Sequence, residues 1–584
     1  MLENPAYTSQ GGQPFLIDVM SKRDKLIFAG LVTLWLISLV FLWEWFLQPI
    51  HRVSWSGTII TSLLLGWQTI LPGYYFWFVA RMKRSNPDIP IPSYWRVAMI
   101  VTKAPSEPWS VLQRTLEAML AQEHPHDTWI ADEDPQPEAI AWCKAHGVQI
   151  SSRKGVAEYH RPNWPRRTRS KEGNLAYFYD FFGYASYDVV VQLDADHVPE
   201  QGYLKEMIRP FVDPRVGYVA APSICDANAG ESWVVNARAY AEGSLHGSLQ
   251  AGYNNGWAPL CIGSHYAIRT VALREIGGVG PELAEDHSTT FLMNAAGWRG
   301  VFALDAEAHG DGPACFSDFL IQEFQWARSL TTLLLTVTPY YLRKLPPHLQ
   351  FQFLFAQVWY PLYALSMGIG VLIPVIALLR DEPLISVNYL DYVARSFLVT
   401  FTCVSCVSWI ARRGWFRPQS AKVISWETFL FQLARWPWVA AGIGNSIVAW
   451  LMRKELSFRI TPKGDNAPRP LPLNVLLPYL AIAIGSALAV ITINHLRHAQ
   501  GYYFLTLLNS LFYTVVCLGI LKAHIYENMP KAARYIRQKL AIFVALGCLA
   551  TALGMKAQAS FSGILQPVHA QTEKPSLNIA NRRF

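Results

Sequence analysis

Apolar residues collect in long blocks toward both ends of the chain, and polar residues dominate its middle third. The first apolar block, at about 26–47, is long enough to cross a bilayer, and a second follows at about 58–79. Basic residues lie directly before the first block and directly after the second: Lys22, Arg23, Lys25, Arg81, Lys83 and Arg84. Because basic residues favour the cytosolic side, residues 25–80 are predicted to form a transmembrane hairpin, with the tail 1–24 and the following domain in the cytosol.

Residues 81–315 alternate short apolar strands with amphipathic helices. Strands are predicted at 96–102, 128–131, 148–151, 188–193, 216–221 and 262–269. Helices are predicted at 109–122, 138–146 and 171–182. This alternation favours a doubly wound α/β sheet with helices on both faces.

After residue 315 the chain becomes apolar again. Residues 316–347 are predicted to form interfacial helices, and 348–557 a transmembrane bundle with spans at about 359–379, 393–410, 473–493 and 503–521 and a weaker candidate at 541–553. Segment 425–454 is apolar but contains Arg435, which favours an interfacial position over a span. Residues 558–584 are polar without periodicity and are predicted to be disordered.

Composition supports a membrane protein with a soluble insert. Of the 584 residues, 52% are hydrophobic and 16% are charged, and the net charge of +8 is too modest to indicate a nucleic-acid partner. The eight cysteines are scattered, and the CxxC of Cys403 and Cys406 lies inside an apolar run. We therefore expect neither a zinc site nor a disulfide framework. The polar start of the chain does not predict a cleavable signal peptide.

The predicted strand at 188–193 leads into Asp194-Ala195-Asp196. Its β-branched run is typical of a strand buried on both faces, and α/β folds bind ligands at the carboxyl edge of such strands. Two carboxylates suit a divalent cation that is shared with substrate phosphates. The alternative is that these residues serve only as turn chemistry after a strand.

Six segments follow one another in a telling order: Asp132 after a strand; Lys171-Glu172-Gly173-Asn174-Leu175; Asp194-Ala195-Asp196; Ala284-Glu285-Asp286-His287; Gln322-Glu323-Phe324-Gln325-Trp326; and Phe458-Arg459-Ile460-Thr461-Pro462-Lys463-Gly464. Over roughly residues 25–525 the chain thus resembles the processive family 2 glycosyltransferases, the cellulose synthase-like group. The resemblance implies a GT-A-type α/β domain, inserted between α-helical transmembrane segments with interfacial helices.

The resemblance also implies a donor site with Mg²⁺ or Mn²⁺ as cofactor. Asp196 and Asp194 would ligate the metal, which neutralises charge on the leaving nucleotide diphosphate. The nucleoside would bind Asp132, although Asp134 is close enough in sequence to be the equivalent residue. The residues implied around the nucleotide sugar are Asp132, Asp134, Glu107, Lys171, Asp194, Arg328, Thr461 and Lys463. Lys171 has an alternative interpretation as a solvated lysine at a helix start.

Asp286 matches the general base of the family, with Glu285 before it and Ala284 in place of a threonine. It would deprotonate the acceptor hydroxyl as that oxygen attacks the anomeric carbon, with inversion from an α-linked donor to a β-linked product. Asp286 is also placed to cap a helix at 288–296, and the two roles are compatible. His287 has no family counterpart and is interpreted as an ordinary surface histidine.

Gln322 to Trp326 matches the family motif QxxRW except that Gln325 stands at the arginine position. In the family the arginine contacts the diphosphate and the tryptophan forms a floor under the acceptor sugar. Gln322, Gln325 and Trp326 are therefore assigned to acceptor binding. Arg328 lies one helical turn from Gln325, and we hypothesise that it supplies the missing charge. The alternative is that Arg328 only snorkels at the membrane interface.

Residues 455–470 resemble a gating loop that closes over the nucleotide, with Thr461 and Lys463 reaching the diphosphate. A basic juxtamembrane loop is the alternative. The resemblance implies a processive, inverting β-glycosyltransferase that extends the non-reducing end of a polysaccharide from UDP-glucose and moves the product across the membrane, as cellulose or another β-glucan.

Other functions stay open at this point. A non-processive enzyme with a lipid-linked acceptor and a chitin-, hyaluronan- or mannan-type synthase share most of these motifs, and a degenerate scaffold or transporter would explain Gln325 and Ala284. The implied location is the inner (plasma) membrane, multi-pass, with the catalytic domain in the cytosol. Implied partners are the nucleotide sugar, the polysaccharide product, the lipid bilayer and a periplasmic or export subunit, without nucleic acid. Residues 525–584 are too short for a PilZ-type regulatory barrel.

Overall fold

The computed structural model describes residues 14–105, 107–281, 284–454, 470–494, 496, 498–527 and 535–565. Its strands are β1 Leu16–Asp18, β2 Lys83–Ser85, β3 Val97–Lys103, β4 Asp127–Asp132, β5 Gln149–Ser151, β6 Val189–Asp194, β7 Val198–Pro199, β8 Val216–Ala220, β9 Ser223–Ile224, β10 His265–Arg269, β11 Arg299–Phe302 and β12 Ala308–His309.

Helices make up most of the remaining chain. They are α1 Lys22–Phe46, α2 Trp55–Thr69, α3 Pro72–Val79, α4 Trp109–Leu120, α5 Pro137–His146, α6 Lys171–Phe178, α7 Tyr184–Ser186, α8 Tyr203–Ile208, α9 Trp233–Glu242, α10 Gln250–Tyr253, α11 Thr270–Glu275, α12 Glu285–Ala295, α13 Phe316–Thr336, α14 Thr338–Tyr341, α15 Pro347–Arg380, α16 Tyr389–Arg412, α17 Trp426–Leu451, α18 Leu473–Thr492, α19 Gly501–Glu527 and α20 Ile536–Leu565.

A seven-stranded sheet in the order β11-β8-β10-β6-β3-β4-β5 forms the centre of the domain. Strands β6, β3, β4 and β5 run parallel, as the βα alternation predicts, whereas β10 runs antiparallel between β6 and β8. The sheet is therefore mixed. A separate three-stranded sheet, β7-β12-β9, lies after the carboxyl end of β6.

Both faces of the sheet are covered, as predicted. Along β3, Met99 and Val101 pack in one cluster with Leu112 and Leu116 of α4. Ile100 points to the other face, in a cluster with residues of α6 and of the N-terminal helices. All seven residues of β3 are buried. Alternate side chains of a strand point to opposite faces, so an uninterrupted apolar strand needs partners on both sides.

Six helices of the described chain are long and apolar enough to cross a membrane: α1, α15, α16, α18, α19 and α20. They flank the sheet domain on both sides in sequence, as the predicted fold class requires, with α1 before the domain and the other five after it. The interfacial candidate at 425–454 forms α17, which is not among these six and packs against α13.

The second predicted span forms two helices instead of one. Helix α2 ends at Thr69 and α3 begins at Pro72. Proline has no N–H to donate and disfavours a helical residue before it, so it begins a helix more readily than it continues one. Strand β1 before α1 pairs with β2 after α3, so the chain enters and leaves this N-terminal unit at the same end.

Helix α20 also departs from the predicted boundaries. It continues to Leu565, beyond residue 558, where the predicted disordered tail begins. Residues 566–584 lie outside the described part of the chain. Asp24, at the start of α1, forms an ion pair with Arg413, the residue directly after α16, with 2.6 Å between Oδ1 and Nη2. The start of α1 and the end of α16, which both carry basic residues, therefore lie side by side.

Candidate active site

Asp194 is the last residue of β6, and Asp196 lies in the turn that follows. The Asp194 N–H donates to the Ser264 carbonyl at 2.8 Å, which fixes the turn against β10. Asp196 is buried, and its Oδ2 accepts from the Asp311 N–H at 3.1 Å. Its Oδ1 lies 3.2 Å from Nδ1 of His197. The ligand atoms of Asp194, Asp196 and His197 lie within 4.8 Å of one another.

This donor set fits a divalent cation. Hard cations such as Mg²⁺ and Mn²⁺ take oxygen ligands and share them with phosphates. The His197 ring is buried, with Nδ1 toward Asp196 and Nε2 3.8 Å from Sγ of Cys225. Its contacts suit a residue that orients a ligand carboxylate. We therefore assign the two carboxylates, and not the imidazole, as candidate metal ligands.

Lys171 links the carboxylate pair to the predicted base. Its Nζ lies 2.7 Å from Oδ1 of Asp194 and 3.7 Å from Oε1 of Glu285, and it also donates to the carbonyl of Gly263. Burial opposes its positive charge, but Asp194 and Glu285 outweigh that effect and raise the pKa of Lys171. Lys171 is thus a half-buried cation among acids, and not a solvated lysine at a helix start.

The residues beside Lys171 hold it in place. The Ser170 hydroxyl caps α6 by accepting from the Gly173 N–H at 3.0 Å. The side chain of Asn174 donates to the carbonyls of Lys103, the last residue of β3, and Ala131, the last residue but one of β4. A Cβ at Gly173 would lie 1.9 Å from Nη1 of the buried Arg153. The KEGN segment thus fits one position against the sheet.

Glu285 and Asp286 occupy the first turn of α12. Oδ1 of Asp286 accepts from the N–H of His287 at 2.7 Å, so this carboxylate also serves the helix start. Both acids lie near Gly263, where a Cβ would be 3.2 Å from Oδ2 of Asp286. Burial raises the pKa of Asp286 to about 6 and, with the nearby acids adding to it, the pKa of Glu285 to about 8.

His287 is not a surface residue, so that interpretation was wrong. It is buried, and its ring stands edge-on to Phe353 of α15 at 5.8 Å between ring centres. Burial lowers its pKa to about 4. The helix that carries the predicted base is therefore packed onto a membrane helix through a neutral imidazole. A polar residue beside two acids gave no sequence signal of this burial.

Asp132 and Asp134 differ sharply in environment. Asp132 ends β4, is buried, and lies 3.4 Å from Nζ of Lys103, the residue opposite it on β3. On the other side of β3, Thr102 lies opposite Asp194, so the nucleoside and metal candidates share one edge of the sheet. Asp134 is exposed and pairs with Lys154 at 2.6 Å. This geometry favours Asp132.

Glu107 lies in the loop that follows β3, where its Oε2 accepts from the Ala104 N–H at 2.7 Å. It therefore helps to shape the loop at the same sheet edge. The predicted donor residues Thr461 and Lys463, with the loop at 455–469, lie outside the described residues.

The acceptor motif lies on α13, one face of which contacts α9. Oε1 of Gln322 accepts from Nη1 of Arg238 at 3.1 Å. The same guanidinium lies over the Trp326 ring, 4.4 Å from its centre. Gln325 accepts from Nη2 of the buried Arg328. The cation on the tryptophan is thus Arg238, from a helix far away in sequence.

Arg238, Cys225 and His197 are residues that sequence reasoning missed. Burial opposes ionisation of the Cys225 thiol, but the positive charges of Arg238 and His197 outweigh it and lower the pKa. Together these residues connect the turn of Asp196 with the Trp326 ring. Nothing in the local sequence distinguishes Arg238 from other helical arginines, because its neighbours come from distant segments.

Comparison with known proteins identifies the domain. Residues 189–452 match the model of glycosyl transferase family group 2. The cellulose synthase catalytic subunit (UDP-forming) of Xanthomonas axonopodis pv. citri (strain 306) is 24% identical over 264 residues, 43% of this chain and 34% of that protein. Cellulose synthase 2 of Novacetimonas hansenii is 24% identical over 248 residues, 41% of this chain and 15% of that protein. The matched segments thus span only a minor part of either relative.

Among solved structures, the mannosyltransferase PcManGT from Pyrobaculum calidifontis, in complex with GDP-Man and Mn²⁺, is 15% identical, with a TM-score of 0.40, over 68% of this chain and 99% of that chain. We draw no functional conclusion from a likeness of this degree. The family match, the mixed α/β sheet and the flanking apolar helices agree with the predicted fold class. Residues 189–452 thus match the family 2 glycosyl transferases, and part of the chain is similar to cellulose synthases, within an α/β domain flanked by helices long and apolar enough to cross a membrane.

Proposed function

We propose that the protein is a processive, inverting β-glycosyltransferase that transfers a sugar, glucose from UDP-glucose as first choice, to a growing polysaccharide. The observation that carries this proposal is the position of Lys171, 2.7 Å from Asp194 and 3.7 Å from Glu285. Donor-binding and acceptor-activating groups must lie side by side for one displacement, and this lysine joins them. The similarity to cellulose synthases supports the choice of a β-glucan.

On the donor side, Asp132 binds the nucleoside, and Asp194 and Asp196 hold a divalent cation. A bound Mg²⁺ or Mn²⁺ supplies positive charge to the diphosphate as it leaves. Lys171 adds a second positive charge beside the same carboxylates. Burial of Asp196 and its two hydrogen-bond partners keep that carboxylate in one orientation.

On the acceptor side, Asp286 removes the proton from the attacking hydroxyl. Burial raises the pKa of both acids, but it raises that of Asp286 less, to about 6, so Asp286 is ionised at neutral pH. Two acids whose environments separate their pKa values take different roles. Asp286 is therefore the base, and Glu285 a neighbour that shares Lys171 with the donor site.

The polysaccharide leaves past Trp326 toward the membrane helices. Below the tryptophan, Glu323 of α13 is buried and lies 3.5 Å from Nε of Arg435 on α17. Tyr363 of α15 lies beside the same guanidinium, 4.7 Å from ring centre to Cζ. A polar, aromatic contact between three helices suits a chain of hydroxyl-bearing rings better than an apolar core does. We place the start of the export path here.

The proposed location is the inner membrane, with the catalytic domain in the cytosol. Basic residues cluster beside Asp24 at the start of α1 and around Arg413 at the end of α16, and these two side chains form an ion pair. Since both clusters lie at the same level, the positive-inside rule assigns one cytosolic side to both helices. A periplasmic or export subunit would receive the polymer on the far side.

The first test is a panel of UDP- and GDP-sugars with purified protein and Mg²⁺ or Mn²⁺, with release of the nucleotide diphosphate as readout. We expect release from UDP-glucose above that from the other donors, and its loss on chelation of the metal with recovery on re-addition. Linkage-specific hydrolases then identify the product. Release from no donor would contradict the transferase and leave a scaffold or transporter.

Product length decides between processive synthesis and transfer to a lipid carrier. Radiolabelled product from purified enzyme is expected to be a long polymer even when the enzyme consumes little donor. A single sugar on an organic-soluble acceptor would show the non-processive alternative. A GDP-mannose or UDP-N-acetylglucosamine preference would move the protein to a mannan- or chitin-type synthase without changing the roles of Asp286 and Trp326.

A further inference from the structure

Arg238 lies on α9 and contacts the acceptor motif at two points. Nη1 donates to Gln322 at 3.1 Å, and Cζ lies 4.4 Å from the centre of the Trp326 ring. Its Nε also lies 3.1 Å from Oε2 of Glu242, four residues on along the helix. These two hydrogen bonds use two of the five N–H donors of a guanidinium. Arg238 is buried, so its position is set by these contacts.

Arg238 also lies close to the candidate metal site. The connection runs from Asp196 to His197 at 3.2 Å and from His197 to Cys225 at 3.8 Å. Cys225 is close enough to Arg238 for the positive charge of the arginine to favour its thiolate. The contacts of Arg238 are thus with the ring that would support the acceptor, and its helix α9 follows the segment of Cys225, which contacts His197 beside the candidate metal ligand Asp196.

The other cations of the site, like Arg238 with Glu242 and Gln322, have acidic or amide partners nearby. Lys171 lies between Asp194 and Glu285, and Arg328 donates to Gln325. A nucleotide diphosphate is multiply negative, and a further cation beside it forms charge-assisted hydrogen bonds with its oxygens. A guanidinium binds phosphate oxygens with two parallel hydrogen bonds and stacks on an indole at the same time, which an ammonium does not do as well.

We propose that Arg238 binds the donor diphosphate beside Trp326 and holds that ring in place, and so supplies the charge that Gln325 does not. This inference rests on the proposed function, because it needs a nucleotide diphosphate as ligand. One face of the indole is covered by Arg238, so the acceptor sugar stacks on the other. Glu242 accepts from Nε and Gln322 accepts one N–H of Nη1, so the phosphate binds the remaining N–H donors of the guanidinium.

The test measures binding of uridine, UDP and UDP-glucose to full-length protein, with donor KM and kcat, for wild type, Arg238→Ala and Arg238→Lys. We expect Arg238→Ala to weaken UDP and UDP-glucose binding about 10- to 100-fold and to leave uridine binding within twofold, because only the diphosphate meets the arginine. Arg238→Lys should recover part of the affinity. Arg96→Ala, which removes an exposed ion pair with Asp188 at the opposite end of β6, is the matched control and should match wild type.

Two further variants show whether a loss of UDP affinity in Arg238→Ala comes from the missing arginine charge or from a disturbed structure. Arg238→Ala leaves the Glu242 carboxylate without its arginine partner. The double variant Arg238→Gln with Glu242→Gln controls for this, because it removes both charges together. The thermal midpoint of each variant shows whether the protein stays folded. Adding Gln325→Arg to Arg238→Ala should restore UDP affinity at least fivefold if the two positions supply the same charge.

Each of the other possible results would contradict a specific part of the proposal for Arg238. Unchanged UDP affinity in folded Arg238→Ala, or equal losses for uridine and UDP, would show that Arg238 is only structural. A loss confined to Arg328→Ala would assign the charge to Arg328. If wild-type protein binds neither UDP nor GDP and uses no donor, the proposed function fails together with this inference. If wild type is active and only the Arg238 expectation fails, the proposed function stands.

Discussion

Replacing Lys171 with methionine tests the arrangement on which the proposed reaction depends. The substitution keeps an unbranched side chain at the start of α6 and removes the ammonium. That ammonium lies 2.7 Å from Asp194 and 3.7 Å from Glu285, and Asp286 is near enough to feel its charge. Three carboxyl groups would then lie together with one positive charge fewer.

The size of the effect follows from these distances. Two unit charges about 4 Å apart interact by about 4 kcal/mol at an effective dielectric constant of about 20. The side chains of Asp194 and Glu285 are 27% and 12% exposed, so solvent screens part of this energy. We expect about 2–3 kcal/mol of lost transition-state stabilisation, which is a fall of roughly 30- to 150-fold in kcat/KM for the donor.

The pH profile gives an independent readout. A nearby cation stabilises an ionised carboxylate, so removing it raises the pKa of Asp286 above its present value of about 6. The base then stays protonated up to a higher pH, and the acid limb of the kcat profile should shift to higher pH by up to about one unit. Raising the pH should recover part of kcat and none of the donor affinity.

The assay is nucleotide release from UDP-glucose by purified protein across pH 5–9, with a thermal midpoint to confirm folding. Lys205→Met is the control, because Lys205 forms an exposed ion pair with Glu123 on the surface of α8. Such pairs contribute little, so its kinetics should match wild type. A Lys171→Met enzyme with kcat/KM within threefold of wild type and an unshifted acid limb would refute the role of Lys171 in joining the donor and acceptor sites.

Three further predictions concern the same edge of the sheet. Wild-type kcat should fall tenfold per pH unit below about 6, where the raised pKa of Asp286 lets the base take up a proton, and Asp286→Asn should lose at least about 100-fold in kcat with donor binding kept. Asp132→Asn should raise the donor KM more than tenfold and Asp134→Asn less than twofold, since only Asp132 is buried at the strand end. Equal effects of the two variants in KM assays would contradict the assignment of nucleoside binding to Asp132. Gly173→Ala should lower the thermal midpoint, at a cost of about 2–4 kcal/mol, because its Cβ would lie 1.9 Å from a buried guanidinium nitrogen, whereas Gly230→Ala, with open space around it, should not.

The parts of this molecule that depend on short segments could be predicted from the sequence. The β-branched run before Asp194 forms β6, buried on both faces, and Asp132 ends the next-but-one strand as expected. A strand buried on both faces must be apolar throughout, so its residues show its position directly. The apolar blocks show the membrane helices for the same reason, because a bilayer demands a minimum apolar length.

One error had a local cause: the second apolar block is long enough for a single span, yet Pro72 divides it into two helices. The other errors arose where residues far along the chain determine the structure. The polar character of His287 predicted an exposed side chain, yet packing against α15 buries it. The direction of β10, which is antiparallel to β6, depends on how the chain returns to the sheet. The alternation of apolar and polar residues within a strand does not indicate the direction of that strand.

The candidate site shows the same division. Sequence alone predicted the acids and the tryptophan of the candidate site, because each stands in a recognisable segment. Only the tertiary structure decided that Lys171 contacts both Asp194 and Gly263, which lies 92 residues after Lys171. It also placed Arg238 on the Trp326 ring and in contact with Gln322, 84 residues after Arg238. A charge–charge contact depends on distance in space and has no period along the chain, so the cations that complete an acidic site are set by the packing of whole helices onto the sheet.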